Sequence, residues 1–287
     1  MNNSSNQSTN RSLCLGYEYI NSWISGPTIW IVAITHGNEI AGLKIFEQLK
    51  KNITIKNGTI ILIPSNIDAY QSYIKQHDPL SFRFIDHDMN RIWDDSYIEW
   101  SSEYKRRNEL KAILLECDII IDIHSVSKWD DVLGIADPIS LKDAIGWMDT
   151  EKILMQSEND NSMTAWCTRQ GKISFGLEAG NHISEQGVKN GIRNIENMLV
   201  YFGLMDGSIE KFFPSPDALM FLEEIKVSSD NFKYARDFES FNVLSINEII
   251  AYDGWNEIKN PYPYAVIYWL VTQRPEKWKS AWFLFRK

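Results

Sequence analysis

The chain has 287 residues, of which 44% are apolar, 13% aromatic and 23% charged. This is the composition of a folded globular protein, and it excludes disorder as the general state of the chain. The 29 Lys and Arg residues against 38 Asp and Glu residues give a net charge of −9. Because a negative protein repels a phosphate backbone, nucleic acid is not expected as a general partner.

The length predicts one large domain or two unequal ones. The three cysteines, Cys14, Cys117 and Cys167, are widely spaced and form no C-x-x-C pair, which predicts neither a disulfide framework nor a cysteine-based zinc site. No apolar run approaches the length of about 18 residues that a membrane span needs, and residues 1–13 contain no apolar signal segment. We therefore expect residues 1–13 to form a disordered tail and the protein to be cytoplasmic, with no membrane partner.

Apolar runs and amphipathic stretches alternate along the first two-thirds of the chain. Trp30–Ile34 predicts a buried strand, and apolar residues at three- and four-residue steps predict a helix over Ile40–Lys50. Further strands are predicted at 59–63, 118–123 and 173–178, and further helices at 99–116 and 184–202. This alternation predicts an α/β fold with a mixed, mostly parallel sheet flanked by helices.

The pattern changes after Gly207, where short apolar runs separated by turn signals such as Asp253-Gly254 predict a small β-rich region. We therefore expect a catalytic domain over 14–207 and a smaller C-terminal β-rich domain over 208–287.

Two histidines directly follow predicted strands. His36 follows the first strand and is spaced H-x-x-E with Glu39, and His124 ends the strand over 118–123. The carboxyl ends of parallel strands meet at one edge of a sheet, where α/β proteins place their ligands. Two His and one Glu form a typical catalytic zinc set with a fourth position open. Asp122 points to the same face as His124, either as a hydrogen-bond partner of its imidazole or as a solvent-facing strand-end carboxylate.

A second H-x-x-E pair, His182 and Glu185, lies in a polar stretch before a predicted helix. Glu185 is better explained as a first-turn carboxylate that faces the helix dipole. We therefore favour the pair at 36 and 39 as metal ligands.

Two further regions carry candidate groups. The segment Arg83–Arg91 is either a polar loop with solvated arginines or a site for a carboxylate, which a guanidinium binds with two hydrogen bonds. Glu178 ends a predicted strand ahead of Ala179-Gly180, so it is either a routine strand-end charge or a general base.

Taken together, these segments resemble the succinylglutamate desuccinylase/aspartoacylase family, a branch of the zinc carboxypeptidase fold. The resemblance extends from about Trp30 to Gly180 and is weaker in the C-terminal region. Within the family, the motifs are most similar to those of aspartoacylases. The segments that carry it are His36-Gly37-Asn38-Glu39, Arg83, Asp88-Met89-Asn90-Arg91, Asp122-Ile123-His124 and Glu178-Ala179-Gly180.

The resemblance implies a zinc-carboxypeptidase-like fold with one Zn²⁺ per chain. It implies that the zinc ligands are His36, Glu39 and His124. It further implies that Glu178 activates the attacking water and that Arg83 polarises the scissile carbonyl.

The resemblance also implies the residues that bind the carboxylates of the substrate. These are Asn90 and Arg91, with Arg169 as a further candidate and Tyr262 as the substrate-contacting residue of the C-terminal region. The sequence departs from the family pattern at Trp93, where relatives commonly have Phe. The bulkier ring would reshape the pocket if it faced inward.

The sequence therefore predicts a zinc-dependent amidohydrolase that removes an acyl group from a small N-acyl amino acid. An acidic substrate of the N-acetylaspartate or N-succinylglutamate type is expected, with the β-rich domain closing the cleft. A metallocarboxypeptidase acting on peptides and a non-catalytic zinc or carboxylate binder of the same fold remain as alternatives. Whether the chain forms a homo-oligomer is left open.

Overall fold

The computed structural model describes residues 16–76, 82–94, 100–157, 160–268 and 280–287. The predicted tail and Cys14 lie outside these residues. The chain forms two compact units, the first ending at Pro216 and the second beginning at Asp217.

The first unit contributes seven sheet strands, which lie side by side in the order β1-β3-β2-β4-β7-β5-β6. The three neighbour pairs among β3, β2, β4 and β7 are parallel, as is the pair β5–β6, whereas β1 runs antiparallel to β3 and β5 antiparallel to β7. The strands are β1 (Glu18–Asn21), β2 (Thr28–Ala33), β3 (Thr59–Pro64), β4 (Ile119–Val126), β5 (Leu133–Ala136), β6 (Lys152–Met155) and β7 (Ile173–Asn181).

Helices connect the strands of this sheet. They are α1 (Ala41–Asn52), α2 (Ile67–Gln76), α3 (Ser102–Leu114), α4 (Leu141–Trp147), α5 (Met163–Arg169) and α6 (Glu185–Tyr201), with a 3₁₀ turn at Met89–Arg91. Ser101, Ser162 and Ser184 cap α3, α5 and α6 through their hydroxyl oxygens, which accept main-chain N–H groups that a helix start leaves unpaired. No helix within the described ranges is both long and apolar enough to cross a membrane.

The sheet is covered by an apolar core on each face. Side chains alternate along β2, so Ile29 and Ile31 belong to one core while Trp30 and Val32 belong to the other. This explains why the sequence of β2 is a continuous apolar run rather than an alternating one. Trp93 is fully buried in the second core, where its ring lies 5.6 Å from that of Trp166 between centroids.

The second unit consists of antiparallel strands. They are β8 (Asp217–Lys226), β9 (Phe232–Tyr234), β10 (Val243–Leu244), β11 (Ile249–Asp253), β12 (Asn256–Lys259), β13 (Ala265–Tyr268) and β14 (Ser280–Arg286). β8, β14, β13 and β10 pair in that order, and β9 and β12 flank β11. A separate core that includes Phe232, Ile250 and Leu284 supports them.

The predicted mixed, mostly parallel sheet flanked by helices and followed by a β-rich region is confirmed. All predicted strands and helices of the first unit are present, with ends that differ by a few residues. The sequence interpretation missed β1, β5, β6, α2, α4 and α5. These elements are short, and the sheet therefore contains two more strands beyond β7 than the apolar runs indicated.

Candidate metal centre

A tight turn after β2 carries the first two metal-ligand candidates. Ile34 adopts a positive φ of 50°, which is strained for a β-branched residue and abruptly turns the chain out of the sheet. At Gly37 a Cβ would collide with the main chain of Ala69 in α2, so only glycine fits there. The turn thereby directs the side chains of His36 and Glu39 inward, where both are buried.

The predicted ligands His36, Glu39 and His124 converge on one point. Nδ1 of His36 lies 2.7 Å from Oε1 of Glu39, and Nδ1 of His124 lies 2.9 Å from Oε2. One ligand atom from each residue falls within 4.8 Å of the others, and within the described residues this is the one cluster of His, Cys, Asp and Glu suited to a metal ion. His124 reaches it from β4, the neighbour of β2 in the sheet.

One aspartate lies on the far side of each imidazole; Asp122 is buried and Asp88 is half-buried. Nε2 of His36 lies 3.0 Å from Oδ1 of Asp88, and Nε2 of His124 lies 2.9 Å from Oδ2 of Asp122. The hydroxyl of Thr35 donates to the other oxygen of Asp122 at 2.8 Å. Of the two interpretations of Asp122, the one that makes it the partner of the His124 imidazole is correct.

These contacts fix which nitrogen of each ring faces the cluster with a lone pair. A neutral imidazole that donates Nε2–H to a carboxylate presents a lone pair at Nδ1. Two such lone pairs and the carboxylate of Glu39 then face one another, an arrangement that needs a cation between them. The donor set of two imidazoles and one carboxylate fits Zn²⁺.

The electrostatics of the cluster agree with this need for positive charge. Burial opposes the ionised form of Glu39, but His36 and His124 outweigh it and hold the pKa of Glu39 well below its usual value. Burial likewise opposes protonation of His124, but Asp122 and Glu39 raise its pKa well above the usual value. The surrounding carboxylates therefore stabilise positive charge at this point, carried either by protons or by a metal ion.

Glu178 lies on β7 directly beside His124 in the register of the sheet. It is 7% exposed, and its Oε2 has no hydrogen-bond partner among the described residues. Burial raises the pKa of Glu178 to about 7, with His124 opposing the shift and Glu39 adding to it. A buried carboxyl oxygen that has no partner and lies beside the metal-ligand candidates is suited to accept a proton from a bound molecule.

Arg83 reaches the cluster from the loop after the segment 77–81. Its Nη1 donates to Oε1 of Glu39 at 2.9 Å, and its Nε lies 3.4 Å from Oδ2 of Asp88. The main chain of the loop is tied to the His36 turn because the N–H of Gly37 donates to the carbonyl of Arg83 at 2.9 Å. The side chain is 40% exposed, so one edge of the guanidinium faces solvent.

Asn90 and Arg91 follow on the 3₁₀ turn. Nδ2 of Asn90 lies 3.4 Å from Nε2 of His124, and its Oδ1 accepts the main-chain N–H of Met163 at 3.0 Å. The guanidinium of Arg91 donates to the carbonyl of Asn90 at 2.9 Å, and the residue is exposed. The structure thus brings Arg83, Asn90 and the metal-ligand candidates together, with Arg91 next to them.

The remaining two candidates lie in other surroundings. Arg169 is exposed at the end of α5, where it donates to the carbonyl of Asp160 at 2.8 Å. Tyr262 belongs to the second unit, where burial and a hydrogen bond to Glu223 raise its pKa. The roles of Arg169 and Tyr262 stay predictions.

His182 lies closer to the cluster than the sequence interpretation indicated. Its Nδ1 is 2.7 Å from the hydroxyl of Ser125, and the N–H of Ser125 donates to Oε2 of Glu39 at 3.2 Å. His182 is not one of the clustered ligand residues, and Glu185 opens α6 as expected. The strand β7 continues to Asn181, beyond the predicted end at Glu178, and therefore brings His182 to the same edge of the sheet.

Comparison with known proteins places this chain in a family. Residues 25–201 match the succinylglutamate desuccinylase/aspartoacylase catalytic domain, and the chain belongs to this family. The chain is also similar to an N-alpha-acetyl-L-2,4-diaminobutyric acid deacetylase of Halomonas elongata, with 22% identity over 219 residues. That alignment covers 69% of this chain and 63% of the relative, so the chain spans less than two-thirds of the length of that relative.

Solved structures share the fold at low sequence identity. A succinylglutamate desuccinylase from Vibrio cholerae aligns with a TM-score of 0.74 and 16% identity over 94% of this chain and 85% of its own. The product-bound ectoine utilization protein EutE (DoeB) from Ruegeria pomeroyi aligns with a TM-score of 0.72 and 14% identity, covering 94% and 88% of the two chains.

Proposed function

We propose that the protein is a zinc-dependent amidohydrolase that removes the acyl group from a small N-acyl amino acid, with an acidic amino acid preferred. The observation that carries the proposal is the convergence of His36, Glu39 and His124, with each imidazole oriented by its own aspartate. The family and the deacetylase of Halomonas elongata support deacylation as the reaction.

His36, Glu39 and His124 would hold the metal ion. Bound zinc supplies a Lewis acid that lowers the pKa of water and polarises a carbonyl oxygen. Asp88 and Asp122 keep the two imidazoles in the tautomer that binds a cation, and such partners change metal affinity by about 10- to 100-fold.

Glu178 acts as the general base. Its unpartnered Oε2 accepts the proton of the attacking water, and the resulting carboxyl group returns that proton to the leaving amine. Glu178→Gln keeps the shape of the side chain but cannot accept a proton. We expect the variant to retain zinc and substrate binding while kcat falls by roughly 100-fold or more, the scale of general-base catalysis.

The positive groups beside the cluster account for an acidic substrate. The Arg83 guanidinium, partly open to solvent, supplies hydrogen-bond donors to the negative charge that develops on the amide oxygen. The exposed guanidinium of Arg91 can bind a carboxylate with two parallel hydrogen bonds, and Asn90 adds an amide donor next to it.

A deacylation screen tests this proposal directly. Acetyl, succinyl and formyl groups are combined with aspartate, glutamate, 2,4-diaminobutyrate and a neutral amino acid, using metal-replete full-length protein. We expect turnover of at least one acidic N-acyl amino acid, and its loss when a chelator removes the metal. If diaminobutyrate derivatives alone react, the deacylase assignment holds and the acidic preference is wrong.

Two rival functions are separated by the same assay. A metallocarboxypeptidase would release C-terminal residues from a panel of blocked peptides and leave N-acyl amino acids intact. A non-catalytic binder would hydrolyse neither set while still retaining zinc.

A further inference from the structure

The loop that carries Arg83 and Asp88 has no regular secondary structure between these two residues. Its main-chain N–H groups therefore need partners from elsewhere in the fold. Three consecutive groups, those of Ile85, Asp86 and His87, donate to the side chain of one residue, Glu103 in the first turn of α3, at 2.7, 3.2 and 3.3 Å.

Glu103 is 0% exposed, which is rare for a glutamate. Its Oε1 accepts from Ile85 and from the side-chain amide of Asn66, and its Oε2 accepts from Asp86 and His87. These four donors match the roughly four acceptor positions of an ionised carboxylate. A side chain that combines acceptor and donor atoms cannot replace it without placing two donors face to face.

The attachment between helix and loop is reciprocal. Oδ2 of Asp86, a residue of the loop, accepts the main-chain N–H of Ser102 at 3.2 Å, which is one of the unpaired groups at the start of α3. We call this set of bonds, formed by residues 85–87 with Ser102 and Glu103, the loop clasp.

The helix that holds the clasp is itself fixed to the sheet edge where the site lies. Arg106, one turn after Glu103, donates to the carbonyls of Pro64 and Ser65 at the end of β3, at 3.0 and 2.9 Å. The loop is therefore held in a fixed position relative to the sheet edge, because α3 binds the end of β3 through Arg106 and the loop through Glu103.

We propose that Glu103 is a positioning residue that sets the loop clasp and thereby places Arg83, Asp88 and Asn90 at the reaction centre before substrate binds. The catalytic consequence rests on the proposed deacylase function. The structural consequence, an ordered loop at residues 85–87, does not depend on any substrate.

The test compares Glu103→Gln with Glu116→Gln, the same change at an exposed position just beyond α3, in zinc-loaded full-length protein. In Glu103→Gln an amide NH₂ replaces one carboxylate oxygen and faces main-chain donors. We expect amide hydrogen exchange at residues 85–87 to become at least tenfold faster, while the interior of α3 around Leu110 exchanges as in the wild type.

The kinetic readout separates positioning from a general loss of fold. We expect kcat to fall because Arg83 is displaced, and KM for an acidic N-acyl amino acid to rise at least tenfold and by more than KM for a neutral one because Asn90 is displaced, whereas Glu116→Gln behaves as the wild type. A fall in kcat by one factor for all substrates, at unchanged KM and matched by an equal loss of folded protein in circular dichroism, would indicate fewer folded molecules and would overturn the proposal. Unchanged exchange at residues 85–87, or faster exchange with wild-type kinetics, would overturn it as well.

Asp86→Ala provides a second variant should Glu103→Gln not fold. Asp86 is exposed, and its replacement removes the reciprocal bond to Ser102 alone. We expect a smaller change in the same direction, and exchange identical to the wild type would contradict the clasp. If the wild type hydrolyses no N-acyl amino acid, the proposed function fails, while the exchange experiment still decides whether Glu103 positions the loop.

Discussion

The ionisation of Glu178 makes a prediction that needs no substrate. Burial raises its pKa to about 7 in the metal-free fold, against an ordinary value of 4.5. A carboxyl group whose pKa is higher in the folded than in the unfolded state stabilises the fold fully below pH 4.5, and this contribution is lost as the pH rises through 7. The difference between these two pKa values corresponds to roughly 3 to 4 kcal/mol, taken at roughly 1.4 kcal/mol per pKa unit.

Glu178→Gln removes this pH dependence, because an amide does not ionise. In chelator-treated protein we expect the free energy of unfolding of the variant, relative to the wild type, to increase by about 3 kcal/mol between pH 4.5 and pH 8. The assay is urea unfolding at both pH values, where groups that titrate identically in the two proteins cancel in the comparison. Glu47→Gln, at an exposed position on α1, is the matched control and should show no such increase.

A variant that is equally displaced from the wild type at both pH values would refute the reasoning. It would mean that Glu178 titrates alike in the folded and unfolded chains, and therefore that its carboxyl group is solvated rather than buried without a partner. The general-base role would then lose the buried carboxyl oxygen without a partner that supports it.

Three further predictions concern the metal ligands and the substrate. His36→Ala should lose zinc, because two remaining protein ligands hold the ion poorly, whereas His182→Ala should keep it; equal metal content in the purified variants would contradict the assignment. Asp122→Asn should weaken zinc affinity by about 10- to 100-fold in a chelator competition, since the amide no longer enforces the ring tautomer; unchanged affinity would mean that Asp122 does not orient the ligand. Arg91→Lys keeps the charge but loses the paired hydrogen bonds, so KM should rise more for acidic than for neutral substrates, and a rise independent of substrate charge would argue against a carboxylate contact.

The strands were predictable where burial on both faces of the sheet produces a continuous apolar run in the sequence. Strands covered on both faces are largely apolar, so β2 stands out as a run of Ile, Trp and Val, and β4 as a run of Ile that Asp122 interrupts. The strands β5 and β6 have four residues each and extend the sheet on its far side. Runs this short carry too little periodicity to be separated from loops, and their pairing depends on contacts distant in sequence.

The clustering of the metal-ligand candidates was predictable because strand ends locate them. His36 follows β2, whereas His124 and Glu178 lie near the carboxyl ends of β4 and β7, and parallel strands bring these ends to one edge. The loop clasp offered no such signal. Glu103 lies 16 to 18 residues from the N–H groups it binds, across a segment without periodicity, so only the tertiary structure shows the contact.

The two ligand histidines consequently depend on different parts of the fold. Asp122 is two residues from His124 on the same strand, so strand geometry alone aligns the pair. Asp88 is 52 residues from His36 and sits on the loop that Glu103 holds. The His124 side of the centre is therefore built into the sheet, whereas the His36 side shares its support with the residues proposed to bind substrate. A change that displaces this loop is therefore expected to affect the orientation of His36 and the proposed substrate contacts together, which under the proposed function links substrate recognition to metal affinity through Asp88.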